Sequence, residues 1–152
     1  MSWYELLQFL HVLAIATWFG SALAIMVLAT RSVGVGGMPF GTFALNAGWW
    51  AGRAHPAAGV ILLLTGFGMV AEGDLSMGEL WLTLALIGLV VAMGIGGALI
   101  GRTASDLEKR ITGNGGAMPE DARPIADRLI LYARIELAVL VLVIADMVAK
   151  PS

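Results

Sequence analysis

From Leu6 to Thr30 the chain runs 25 residues without an Asp, Glu, Lys or Arg, and that run limits what the polypeptide can become. As a helix rising 1.5 Å per residue it is roughly 37 Å long, enough to cross a hydrocarbon core of about 30 Å with some tilt. A soluble domain can bury one such helix, but here 59% of the 152 residues are hydrophobic and 13% are charged, and mean hydropathy is +0.86. A water-facing surface could not be assembled from so little polar material. The expected partner is therefore the lipid bilayer.

Three further apolar stretches follow. The expected fold is all-α, a single four-helix transmembrane domain with approximate spans at 6–30, 49–71, 80–100 and 129–148. The second start is the least defined, because Pro56 can sit in a first helical turn or inside a longer helix. Residues 31–48, with Gly34, Gly36, Gly37, Pro39 and Gly41, are expected to form a loop. The longest polar segment, 101–128, reads as a short helical extension, a flexible glycine-rich connection and a second approach to the membrane.

Charge placement orients the bundle. The connections after the first and third spans, with their helix margins, hold Arg31, Arg53, Arg102, Lys109, Arg110, Arg123 and Arg128, seven of the nine basic residues. The positive-inside rule puts these connections in the cytoplasm and both termini outside a bacterial inner membrane. The N-terminal Met1-Ser2-Trp3-Tyr4-Glu5 lacks a signal peptide's basic region, so the first run is expected to stay in the membrane. Zero cysteines exclude thiolate metal sites and haem attached through CxxCH, and a net charge of -2 with dispersed basic residues gives no nucleic-acid surface.

Helices in lipid associate through close backbone approach, so small residues should mark the seams. Ala16-xxx-Gly20-xxx-Ala24, Gly88-xxx-Ala92-xxx-Gly96 and the Gly59/Gly66 line are the expected seams, and the glycine-free fourth span should face lipid or another subunit.

Polar groups inside the spans are the functional candidates, because burying them in hydrocarbon is costly. His11 shares a face with Gln8, Ile15, Trp18 and Ala22. A neutral imidazole can ligate haem iron, and Trp18 can pack beside a porphyrin. His55 lies toward the opposite end of the second span, about 10 Å or more from His11 along the membrane normal, too far to share one iron. Arg53, His55, Arg134 and Glu136 enter their spans at similar depth, and are expected to meet as an anion- or propionate-binding site or as a structural ion-pair network. Asp146, near the outer end of the fourth span, is expected to face water. No residue is assigned a catalytic role.

The segment from Leu7 to Gly20, with His11, Trp18, Phe19 and Gly20 in an H-x(6)-W-[FIV]-[GA] pattern, resembles the opening helix of a broad bacterial group. That group includes copper-resistance D-like membrane domains, HemJ-type protoporphyrinogen oxidases and small predicted integral membrane families. His55-Pro56-Ala57-Ala58-Gly59, followed by Leu64-Thr65-Gly66, resembles the second helix of the small families. The resemblance implies a four-helix membrane module and b-type haem with His11 as a ligand. The third span has no lysine or histidine to match the second basic residue of the HemJ-type oxidases, and no copper ligand set is evident, so neither activity is carried over. The leading expectation is a haem b protein in electron transfer or porphyrin-linked redox chemistry, with His11 and His55 as candidate metal ligands and a homo-oligomer or redox membrane partner. The alternatives are a noncatalytic accessory subunit or oligomeric scaffold, and a component transporting a proton, metal or small solute.

Overall fold

The computed structural model describes residues 2–35, 37–73 and 78–150. Four long rods account for nearly all of them. Helix α1 is Trp3–Val35, α2 is Gly37–Glu72, and α3 is Leu80–Gly94, which continues through a π-helical stretch, Ile95–Ile100, into α4, Gly101–Gly113. A 3-10 turn, Glu120–Ala122, then leads into α5, Arg123–Ala149. The chain is an all-α, multi-helix membrane protein. Among the described residues three helices, Trp3–Val35, Gly37–Glu72 and Leu80–Gly113, are long and apolar enough to cross a bilayer, whereas Arg134, Glu136 and Asp146 interrupt the apolar run of α5.

The described residues of the expected loop at 31–48 are helical instead. Helix α1 continues to Val35 and α2 begins at Gly37, whose φ of +58° suits a residue without a Cβ. Pro39 falls in the first turn of α2, where a missing N–H costs nothing. Gly41 is required for a different reason: a Cβ there would run into the carbonyl oxygen of Gly116, in the connection that Met118 N–H ties to the Gly37 carbonyl at 3.2 Å. The glycines that read as breakers thus serve a tight helix-to-helix turn and a close approach. Pro56 lies inside α2 rather than at its start.

Two apolar clusters stack along the bundle. One joins Ala14, Trp18 and Ala22 of α1 to Ala58 and Leu62 of α2, Ala92 of α3 and Leu140 of α5. The other gathers Ala29, Val33, Phe40, Leu107, Ile111 and Ala126 at the end where the two arginine-bearing connections meet. At roughly 54 Å, the 36 residues of α2 outreach a hydrocarbon core of about 30 Å, so part of this second tier extends past the bilayer. The extension expected after the third span is α4: Leu107 and Ile111, one turn apart, are wholly buried, while Arg102, Asp106, Glu108, Lys109 and Arg110 stay exposed.

The seams follow the expected glycines in two helices out of three. A Cβ on Gly88 would strike Val143, Ala92 is fully buried, and Gly59 abuts Trp18 and Met93. In α1, however, Ala16, Gly20 and Ala24 are exposed and nothing lies within 4 Å of a Cβ at Gly20. The inward face of α1 is Ala14, Trp18, Ala22 and Ala29, where one tryptophan sits among alanines. Helix α5 exposes Leu131, Ile135, Val141, Leu142 and Val148, as its bulky composition suggested.

Candidate functional site

Helices α1 and α2 run antiparallel, and their polar contacts share one register. His11 Nδ1 lies 2.9 Å from Thr65 Oγ, and His55 Nε2 lies 2.9 Å from Ser21 Oγ. In each pair the residue numbers add to 76, as 11 + 65 and as 21 + 55. The two histidines are therefore ten residues apart on the register, roughly 15 Å, and do not face a common metal.

Each hydroxyl also reaches a carbonyl of its own helix, which bears on the tautomer of its histidine. The Thr65 hydroxyl donates its single proton to the Ile61 carbonyl at 2.6 Å. With its proton on that carbonyl it accepts from His11, the tautomer in which Nδ1 carries the ring proton and Nε2 keeps its lone pair. Ser21 likewise donates to the Trp18 carbonyl at 3.0 Å and accepts from His55 Nε2–H, which leaves the lone pair on His55 Nδ1. Sequence reading missed both hydroxyls; the detectable signal was a Ser or Thr facing each histidine at mirrored spacing.

Around His11, a cavity of about 430 Å³ opens between α1, α2, α3 and α5. Its lining includes Gln8, Ile15, Gly66, Met69, Trp81 and Met147. Gly66 keeps this wall thin: a Cβ there would rest 3.6 Å from His11 Cε1. Gln8 and Ile15 share the His11 face as expected. Trp18 does not line this cavity, because seven residues of rise carry it roughly 10 Å along α1.

Trp18 belongs to the second constellation. Its indole N–H donates to Glu136 Oε1 at 3.2 Å, and its ring centroid lies 6.0 Å from that of His55. Trp18 and Glu136 are each 1% exposed, so this polar pairing is almost wholly enclosed. Space for the carboxyl comes from Gly96 in the π-helical stretch: a Cβ at that position would lie 2.6 Å from Glu136 Oε1. Insertions of this kind concentrate at functional sites in helices.

The expected cluster of Arg53, His55, Arg134 and Glu136 forms only in part, without either arginine. His55 and Glu136 flank Trp18. Arg53 is exposed, donates to the Trp49 carbonyl at 3.2 Å, and stacks 4.4 Å from the Trp49 ring centroid. Arg134 is exposed on the outer face of α5. Among the described residues the ion pairs are Arg110–Asp121 and Arg123–Asp127, so Glu136 has no cationic partner there. Long arginines can hold their charge outside the hydrocarbon, whereas the short Glu136 side chain is enclosed where its backbone puts it. Asp146 is half-buried, and its Oδ2 is enclosed without a hydrogen-bond partner among the described residues. Also among them, no group of three or more His, Asp or Glu side chains could hold a metal ion.

A family profile described as a predicted integral membrane protein, DUF2269, matches residues 5–151. The chain belongs to the DUF2269 family. Membership thus covers both constellations and all four long rods, from His11 in α1 to Glu136 in α5. No curated protein and no solved structure matches the chain.

Proposed function

We propose that this DUF2269 protein is a haem-binding module of the bacterial inner membrane, with both termini outside, and that the cavity beside His11 is the cofactor site. The observation that carries this reading is the hydrogen-bond chain from His11 Nδ1–H to Thr65 and on to the Ile61 carbonyl. It fixes the imidazole's orientation and leaves an unprotonated Nε2 as a donor for iron, the arrangement by which outer partners prepare a ligating histidine. The cavity, at about 430 Å³, falls in the size range of small-molecule and cofactor sites. Its wall is largely apolar, and Met69 and Met147 offer thioethers of the kind that serve as haem axial ligands.

In this reading haem would supply one-electron chemistry. The chain's own residues orient the ligand nitrogen, exclude water with Ile15, Leu89 and Leu140, and present one open side through which a redox partner or second copy can approach. Thr65 is a positioning residue, acting only through His11.

Gently purified protein from haem-replete cells is expected to show a Soret band that sharpens on reduction and disappears in His11→Ala. Lack of that band in wild-type protein, with none gained on reconstitution, would end the proposal. The reading as an accessory or scaffold subunit draws on the unfilled Ala16/Gly20/Ala24 face. A native mass measurement in mild detergent giving only monomer would remove it.

A further inference from the structure

A second cavity, about 210 Å³, lies between α1, α2, α4 and α5 and ends on His55 and Glu136. Most of its wall is small or aliphatic, with Ala47, Gly48, Ala51, Ala104 and Ala133 leaving the room. Among the described residues its ionisable lining is His55, Glu136 and the exposed Glu108, with no lysine or arginine, although this end of the bundle holds most of the basic residues.

Glu136 and His55 can both offer acceptors here, and Ser105 adds a hydroxyl. Glu136 meets Trp18 through one oxygen and has no ion-pair partner among the described residues. His55 donates through Nε2 to Ser21, so Nδ1 offers a lone pair. A carboxyl and an imidazole nitrogen in an apolar wall are complementary to a group with several N–H donors and a positive charge.

We propose that this cavity binds an organic monocation, a primary alkyl- or arylammonium whose N–H groups meet Glu136 and His55 while its apolar body lies against the alanine and glycine wall. A bare metal ion suits the cavity poorly, since hard cations take six or more oxygens and this wall is mainly hydrocarbon. The charge of the ligand supplies the cation that Glu136 lacks in the protein. The site lies roughly 10–15 Å from the His11 level and shares no ligand with the proposed haem site, so the two stand or fall separately.

Calorimetric titration of benzylamine into the full chain in lipid nanodiscs tests this, with empty nanodiscs as the measure of partitioning and benzyl alcohol as the neutral control. Saturable binding of the amine is expected, at least tenfold tighter than the alcohol and weakened at least tenfold in Glu136→Gln, an isostere that keeps an acceptor for Trp18. Gel filtration and helical circular dichroism establish that the variant is folded. Should it fail to fold, the amine–alcohol comparison on wild-type protein decides. Amine binding no greater than in empty nanodiscs, equal affinity for the two compounds, or unchanged affinity in folded Glu136→Gln would each overturn the proposal.

Discussion

The contact between Gly96 and Glu136 supports a prediction whose sign depends on background. In the wild-type chain, Gly96→Ala places a methyl 2.6 Å from Glu136 Oε1, about 0.7 Å inside an ordinary carbon–oxygen contact, so the carboxyl must withdraw and its 3.2 Å bond from Trp18 lengthens. Overpacking of this size costs about 1–3 kcal/mol, and loss of the hydrogen bond about 1 kcal/mol more. Alanine's better helix propensity returns about 1 kcal/mol, for a net destabilisation of about 1–3 kcal/mol. In a Glu136→Ala background the clash and the hydrogen bond are both gone. Only the propensity gain is left, and the same substitution should be neutral or stabilising by up to about 1 kcal/mol. The assay is reversible unfolding in mixed micelles, with increasing sodium dodecyl sulfate, of the four proteins of the cycle, followed by helical circular dichroism. A coupling below about 0.5 kcal/mol would refute the claim that Gly96 exists to seat this carboxyl.

Three other substitutions probe the remaining contacts. Gly41→Ala should displace the Gly116 carbonyl and loosen the connection at 114–118, read as faster amide hydrogen exchange there and at the start of α2, with little change near His11. Thr65→Val removes the acceptor for His11 Nδ1–H and should weaken any haem spectrum about 10–100-fold in affinity, whereas Thr65→Ser should retain it; equal behaviour of the two would show that the hydroxyl does not position the ring. Arg53→Ala, which removes an exposed stack on Trp49, should change stability by about 1 kcal/mol or less in the same unfolding assay.

The membrane architecture was legible because it rests on composition and run length, properties every residue of a span contributes to. The amphipathic α4 was legible for a similar reason, since Leu107 and Ile111 alternate with charge at helical spacing. Glycine was harder to read. Gly41 looks like a breaker, but its role is to admit the carbonyl of Gly116, a residue 75 positions away whose approach no local pattern encodes. Likewise Ala16, Gly20 and Ala24 form a smooth stripe, yet the bundle packs on Ala14, Trp18 and Ala22, because burial of one large indole set the rotation of α1. At the candidate sites, depth was readable and rotation was not. Rise along the helix correctly separated His11 from His55, while the grouping of Arg53 and Arg134 with Glu136 failed because similar depth does not imply a shared face.

The uninterrupted length of α2 has a mechanical consequence. Gly37, at its tip, is nineteen residues from Pro56, an arm of roughly 28 Å, and it touches the connection before α5. A swing of about 5° at the proline would carry that tip about 2.5 Å, close to the width of a hydrogen bond. In a rod of this length, any tilt near Pro56 would be felt at Gly37 as a displacement comparable to a hydrogen bond.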